Sequence, residues 1–233
     1  MYDDRRLLLS EAGLLLLLLV GIMLCPPIGV LDVYVQALFF DVPDRTWVVP
    51  PGDRGVIYLI LYRGIKAVLV AAGIVCIAWL AVRLWKQGRS DLTVRAGTAI
   101  LVAAALPLLI GFLKENTGIS CPAQEQMFGG PLAHVDLWAR LYASLPVLEQ
   151  MHCWPAGHAS GGFSLMAVRL LPRHDDVKLL WPGLFLGWVL GLYQMARGQH
   201  YLSHTIVTML MAMLLVVMAR LWLADRRRKL AAY

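Results

Sequence analysis

The sequence predicts an all-α integral membrane protein: a six-transmembrane-helix bundle whose chemistry sits at the outer, periplasmic face. Three observations predict it. Of 233 residues, 59% are apolar and 15% are charged, against roughly 25% charged in ordinary soluble domains. Five apolar runs are about 18–25 residues long, enough to cross a bilayer as helices, and a sixth is shorter. The segments joining them are long on one side and short on the other. This composition excludes a disordered chain, a fibrous repeat and a typical nucleic-acid-binding module. The net charge of +6 is better explained by membrane topology than by an acidic partner.

The first run, 12–30, follows Arg5 and Arg6. A cleaved signal peptide is the alternative, but Cys25-Pro26-Pro27 follows the run and no Ala-x-Ala site lies close behind. Segment 31–63 contains Asp32, Phe39, Phe40, Asp41, Trp47, Pro50 and Pro51, and its aromatics suit a segment lying at the headgroup level. The second and third runs cover 64–85 and 96–113. A second long outer segment, 114–155, follows. The fourth run, 157–171, is short and ends at Arg169 and Arg173, which can snorkel; a re-entrant segment is its alternative. The fifth run, 179–196, carries Gly183, Gly187 and Gly191, a spacing that lets two helices approach closely. The sixth, 205–223, precedes the cluster Arg226-Arg227-Arg228-Lys229.

With six crossings and the N-terminus inside, Lys and Arg favour the inside segments by two to one. That places both termini in the cytoplasm, as in a protein of a bacterial inner membrane. The whole chain, 1–233, reads as one membrane-embedded domain.

The residues able to do chemistry gather on the outer side. They are Lys114 at the end of the third run, His158 in a Gly-rich helix start, and His200 after Gln194 and Arg197. Two histidines with a lysine and an arginine nearby suit an anion such as phosphate. Lys114 and Arg197 would neutralise its charge, and backbone N–H groups near Gly157 would donate to its oxygens. One imidazole would attack phosphorus and the other protonate the leaving oxygen. Zinc is the competing use. His200 and His204 stand four apart, and Cys121, His152, Cys153 and His158 are conceivable ligands, but His-x-x-x-His without a Glu is a weak signal. No metal and no cofactor are expected. Glu115 and Glu125 would repel a phosphate, so they should face away or pair. His134 and His152 read as solvated or capping residues, His174 as surface, and Phe128-Gly129-Gly130 as a turn.

These groups stand as Lys114-x6-Cys121-Pro122, Pro155-Ala156-Gly157-His158 and Tyr193-Gln194-x5-His200-x3-His204. In order and separation they resemble the three motifs of the type-2 phosphatidic acid phosphatase superfamily, membrane lipid phosphatases related to vanadium haloperoxidases. That family's pattern is Lys-x6-Arg-Pro, Pro-Ser-Gly-His and Ser-Arg-x5-His-x3-Asp. The resemblance implies a phosphohistidine formed on His200, with His158 as general acid. Lys114 and Gly157 would hold the phosphate, and His204 would orient His200. Four positions depart from the pattern: Cys121, Ala156, Gln194 and His204. Arg197 lies one helical turn from Gln194 and would replace the missing guanidinium. The chain is also similar to a bacterial subgroup with a Cys-Pro first motif and a Ser-His ending to the third. Cys121 and Cys153, beside the first two motifs, would form a disulfide in an oxidising compartment. Cys25 and Cys76 read as packing residues.

The expected activity is metal-independent hydrolysis of a lipid phosphate or pyrophosphate. The partners are the lipid substrate and membrane lipids; no nucleic acid is expected, and the oligomeric state is left open. Two alternatives stand beside it: transfer of the phosphoryl group to a second lipid, and a non-catalytic protein that binds lipid phosphate. A transporter fits less well, because charges are almost absent from the span centres.

Overall fold

The computed structural model describes residues 2–135, 137–142 and 151–231. It is mostly helical. Helix α1 (Tyr2–Leu24) is followed by the short α2 (Pro27–Ala37) and a two-stranded antiparallel hairpin, β1 (Phe40–Asp41) and β2 (Thr46–Trp47). Helix α3 runs from Val56 to Gln87 and contains a π-helical stretch, Leu59–Gly64. Then come α4 (Asp91–Thr117), the short α5 (Leu137–Tyr142), α6 (Gly157–Phe163), α7 (Trp181–Ala196) and α8 (Leu202–Ala231). Part of the outer segment 114–155, residues 136 and 143–150, lies outside the described residues.

Five helical segments are long and apolar enough to cross a membrane: Arg5–Leu24, Val56–Gln87, Asp91–Thr117, Val177–Ala196 and Leu202–Leu230. The short fourth run is built differently. It is α6 continued by a 3-10 helix, Ser164–Leu170. At 1.5 and 2.0 Å per residue, its two halves together reach about 24 Å. A side chain at Gly157 would meet Lys114 Nζ at 3.3 Å. At the other end, Arg95 donates to the Leu171 carbonyl. The stretch of α4 between Arg95 and Lys114 is about 28 Å long, so this segment runs antiparallel beside almost all of it.

That segment is the centre of the molecule. Phe163, Met166 and Leu170 are fully buried against Leu106 and Ile110 of α4 and Val216 of α8. The glycine stripe of α7 makes this possible. A Cβ on Gly183 would lie 2.6 Å from Met166 N, and one on Gly187 would overlap the Phe163 ring. Gly191 instead faces α8, where a Cβ would stand 2.5 Å from Thr205 Cγ2. The stripe therefore serves two neighbours. Helix α1 packs on the far side of α8 through Leu8, Leu15, Leu210 and Val217.

Two expectations need correction. Arg169 does not snorkel. It is 1% exposed and bonds Glu11 at 2.7 and 3.0 Å and Asp175 at 2.9 and 2.7 Å. Arg220 joins the same network through Asp175 at 3.1 Å. A buried guanidinium is tolerated when its fork is filled by carboxylates, and the chain supplies two. Nor do all the aromatics of 31–63 face headgroups. Phe40 and Trp47 are buried against Phe128 and Tyr201, with ring centroids 5.0 Å apart for Phe40–Trp47 and 5.3 Å for Trp47–Phe128. Burying these rings together folds the hairpin onto the end of α7.

Candidate active site

At the end of α7 the chain turns sharply. Gly198 takes a left-handed φ of 64°. Its N–H reaches Met195 O at 2.9 Å, and Gln199 N–H reaches Gln194 O at 2.9 Å. That pair of bonds is the Schellman arrangement, and its left-handed position favours glycine. Trp47 closes over the turn; a Cβ on Gly198 would stand 2.5 Å from its ring. The turn presents Gln194, Arg197 and Gln199 to one cavity and sends His200 inward.

Helix α2 holds both sides of this turn. Gln36 donates to the Met195 carbonyl at 2.7 Å, at the end of α7. One helical turn earlier, Asp32 accepts the Ser203 N–H at 2.8 Å and also the Ser203 hydroxyl, at the start of α8. Asp32 thus satisfies an amide that the first turn of α8 leaves open.

The disulfide Cys121–Cys153 joins the segment after α4 to the one before α6, with Cα atoms 5.1 Å apart. Cys153 N–H also bonds Ile119 O at 3.0 Å. The Cys153 carbonyl points at two imidazoles, His200 Nδ1 at 2.8 Å and His204 Nδ1 at 2.9 Å. A carbonyl only accepts, so both Nδ1 atoms carry the proton, and each Nε2 keeps its lone pair. Burial, followed by the charge of Lys114 and the presence of His204, holds the His200 ring's pKa well below the ordinary histidine range, against the raising effect of the Cys153 bond. The orienting bond expected from His204 to His200 is not the one found. The rings stand 5.9 Å apart and share the backbone carbonyl. Thr208 anchors the second motif: its hydroxyl accepts Ala156 N–H at 3.0 Å and donates to His204 O at 2.9 Å.

A cavity of about 210 Å³ opens beside these groups. Lys114, His158, Gln194 and Arg197 line it, together with Pro51, Arg54, Tyr58, Tyr62 and Gln199. Among the described residues, three cations line it and no carboxylate does. His158 stacks on Tyr62 with centroids 4.0 Å apart. Arg197 lies over Tyr58 at 5.0 Å, Tyr193 at 5.5 Å and Tyr62 at 5.8 Å, and donates to Pro51 O. Gly157 leaves the room that Lys114 occupies.

Lys114, His158, Gln194 and Arg197 therefore meet in one space. Neither His200 nor His204 is among its lining residues: His200 is within range of the Lys114 charge, and His204 lines a separate cavity with Trp154, Tyr201 and Ser203. Neither acidic neighbour lines the cavity. Glu125 is buried and accepts from Ser120 at 2.7 Å, His134 at 2.7 Å and Tyr201 at 2.5 Å, while Glu115 lies 3.9 Å from His152. His134 and His152 are thus structural: His152 donates to the Lys114 carbonyl at 3.1 Å. Among the described residues, no group of three or more His, Cys, Asp or Glu is placed to hold a metal ion. Arg54, Tyr58 and Tyr62 were not anticipated. Tyr58 and Tyr62, four apart in α3, share a helix face, and that was the available signal; Arg54 precedes the helix, which starts at Val56.

Fold and site together define a helical bundle of membrane type with a cationic, histidine-containing cavity at one end. The chain belongs to the PAP2 superfamily, whose family model matches residues 92–228. The match runs from the start of α4 into the last turns of α8; α1, α2, the hairpin and α3 precede it. Membership supports phosphoester hydrolase activity, and the five apolar helices support an integral membrane protein. No curated protein and no solved structure matches the chain significantly.

Proposed function

We propose that this protein hydrolyses a phosphate or diphosphate ester of a membrane lipid through a phosphohistidine on His200. The observation that carries the reading is the convergence of Lys114, His158, Gln194 and Arg197 on one cavity with no carboxylate among its described lining residues, with His200 in range of the Lys114 charge and donating from Nδ1 to the Cys153 carbonyl. His200 Nε2 attacks phosphorus, and the bond to the leaving oxygen breaks. His158 gives that oxygen a proton. Water, deprotonated by His158, then attacks the phosphohistidine and releases phosphate. Lys114, Arg197 and Gln194 bind the phosphoryl oxygens, and the Cys153 carbonyl steadies the imidazolium that develops on His200. His204 holds that carbonyl from the other side, so its role is positioning.

The chain acts as one domain with six crossings, the antiparallel course of 157–170 along α4 supplying the fourth. Both termini lie in the cytoplasm and the cavity opens on the periplasmic side. Two features support this orientation: the excess of Lys and Arg on the opposite side, and a disulfide at the cavity end, which needs an oxidising compartment. The lipid chain stays in the bilayer while its headgroup meets His200.

The test is phosphate release from a panel of phospholipid and polyprenyl phosphates, with EDTA present, beside His200→Ala. Release is expected to survive EDTA and to fall by at least about 10³-fold in the variant, as for loss of a nucleophile. A folded variant with undiminished turnover would refute the phosphohistidine.

A further inference from the structure

The Cys153 carbonyl orients His200 and His204, each through a hydrogen bond to Nδ1. His158 is held differently. Among the described residues its ring nitrogens have no hydrogen-bond partner. What touches the ring is Tyr62, with centroids 4.0 Å apart and planes tilted by 35°. At that separation the imidazole covers the face of the phenol ring, not its edge.

Tyr62 is itself fixed. It stacks on Tyr58, with centroids 4.7 Å apart and planes 18° from parallel. Tyr58 is 5% exposed, and the guanidinium carbon of Arg197 lies 5.0 Å from its centroid. Arg197, Tyr58, Tyr62 and His158 therefore form one column along the cavity that all four line. It begins at a guanidinium that binds phosphate in the proposed reaction and ends at the proposed general acid. A ring stacked on its face cannot swing out of its plane, and it presents its nitrogens sideways, in that plane. The charges that act on His158, those of Lys66, Lys114 and Arg197, are all positive. An acid that carries its proton as an imidazolium stands among like charges there, and the negative face of an aromatic ring is a contact that suits such a cation.

We propose that Tyr62 is a positioning residue for His158: its ring, backed by Tyr58, holds the imidazole in the plane from which it protonates the leaving oxygen. This rests on the hydrolase reading above and adds a residue that the reading does not use. Tyr58 and Tyr62 precede residues 92–228, the family-matched part. The acid of the second motif is thus set by a helix outside that match.

The test exploits the leaving group. An alkoxide leaves as it is protonated, whereas a nitrophenolate leaves as the anion and needs no acid. Protein in phosphatidylcholine nanodiscs is given dodecyl phosphate or a dodecyl-substituted nitrophenyl phosphate, and kcat/KM is measured for each. Tyr62→Leu is expected to lower the value for dodecyl phosphate at least about tenfold, and that for the nitrophenyl ester by less than about threefold, within the roughly 10²–10⁴-fold that general acid catalysis contributes. Tyr62→Phe, which keeps the ring, should recover most of the loss. In a His158→Ala background Tyr62→Leu should cost less than about twofold further, because the two residues act through one group. Retained inhibition by inorganic phosphate shows that a variant is folded, and Tyr62→Gln serves if Tyr62→Leu does not fold. Equal losses on the two esters would assign Tyr62 a merely structural role and overturn the proposal. So would a full second loss in the His158→Ala background, or Tyr62→Phe as slow as Tyr62→Leu. Wild-type protein that releases no phosphate from either ester overturns the hydrolase reading and this role with it. Active protein without the leaving-group difference overturns the role alone.

Discussion

The Cys153 carbonyl does here what a carboxylate does where an acid follows the nucleophilic histidine. It fixes the Nδ1–H tautomer of His200, which leaves the Nε2 lone pair free, as the proposed attack on phosphorus requires. It carries a partial charge where a carboxylate carries a full one, so it stabilises an imidazolium less. The buried ring stays neutral in the folded chain, with its pKa pushed well below 6.5. The sign follows directly. As pH falls below about 6.5, the unfolded chain takes up a proton at this position that the folded chain refuses. Stability therefore falls with pH, by at most about 1.4 kcal/mol per pH unit from this group, until the depressed folded pKa is reached. Thermal unfolding in detergent between pH 7.5 and 5 should show the loss, and His200→Asn should flatten it. An unchanged slope in the variant would mean that the ring is already charged in the folded protein. His158, His200, Lys114 and Arg197 could be chosen from the sequence, because reactive side chains beside apolar runs stand out. The carbonyl could not, since every residue has one.

Helix α2 shows how a short element determines the geometry of a site it does not line. Asp32 and Gln36, one turn apart, hold the start of α8 and the end of α7. Between those two bonds lies the whole turn from Arg197 to Tyr201. Asp32→Ala removes a helix cap and should destabilise by about 1–2 kcal/mol. Gln36→Leu leaves the Met195 carbonyl without its side-chain donor, at about 1–3 kcal/mol. Both should lower phosphate release more than they lower substrate binding, because they loosen the turn that carries the proposed nucleophile and not the Lys114 side. Loss of binding in step with release would assign α2 a merely structural role. The π-helical stretch in α3 belongs to the same theme. It lies where Tyr58 and Tyr62 meet Arg197 and His158, and such stretches frequently occur at functional sites. Neither device has a sequence signature that survives the noise of a 30-residue loop.

The two ends of the bundle are held by different means. At the cavity end, a disulfide and an aromatic cluster join the loops. At the other end, Arg169 is held by Glu11 of α1 and Asp175. Arg169→Ala should destabilise by about 3 kcal/mol, at the low end for a broken buried pair, because the two carboxylates are 29% and 35% exposed and can rehydrate. Thermal unfolding would measure it, and a change under about 1 kcal/mol would show the network to be dispensable. Denatured, unreduced protein should expose two thiols, Cys25 and Cys76, and reduction should raise the number to four. Four without reduction would remove the disulfide and, with it, one support for a periplasmic cavity.

Apolar runs, the spacing of the three motifs and the glycine stripe of α7 determined by themselves the membrane class, the family and four of the residues that meet in the cavity, Lys114, His158, Gln194 and Arg197. Each of these is a local property: a run long enough to span, a reactive type at a fixed offset, a small residue every fourth position. Only the tertiary structure decided which carbonyl orients His200, that Arg169 is buried, that the glycine stripe serves two neighbours, and that Arg54, Tyr58 and Tyr62 join Lys114 and Arg197. Most of those contacts join residues from 14 to 158 positions apart. They depend on how the helices pack, and packing distances are not written in any one segment.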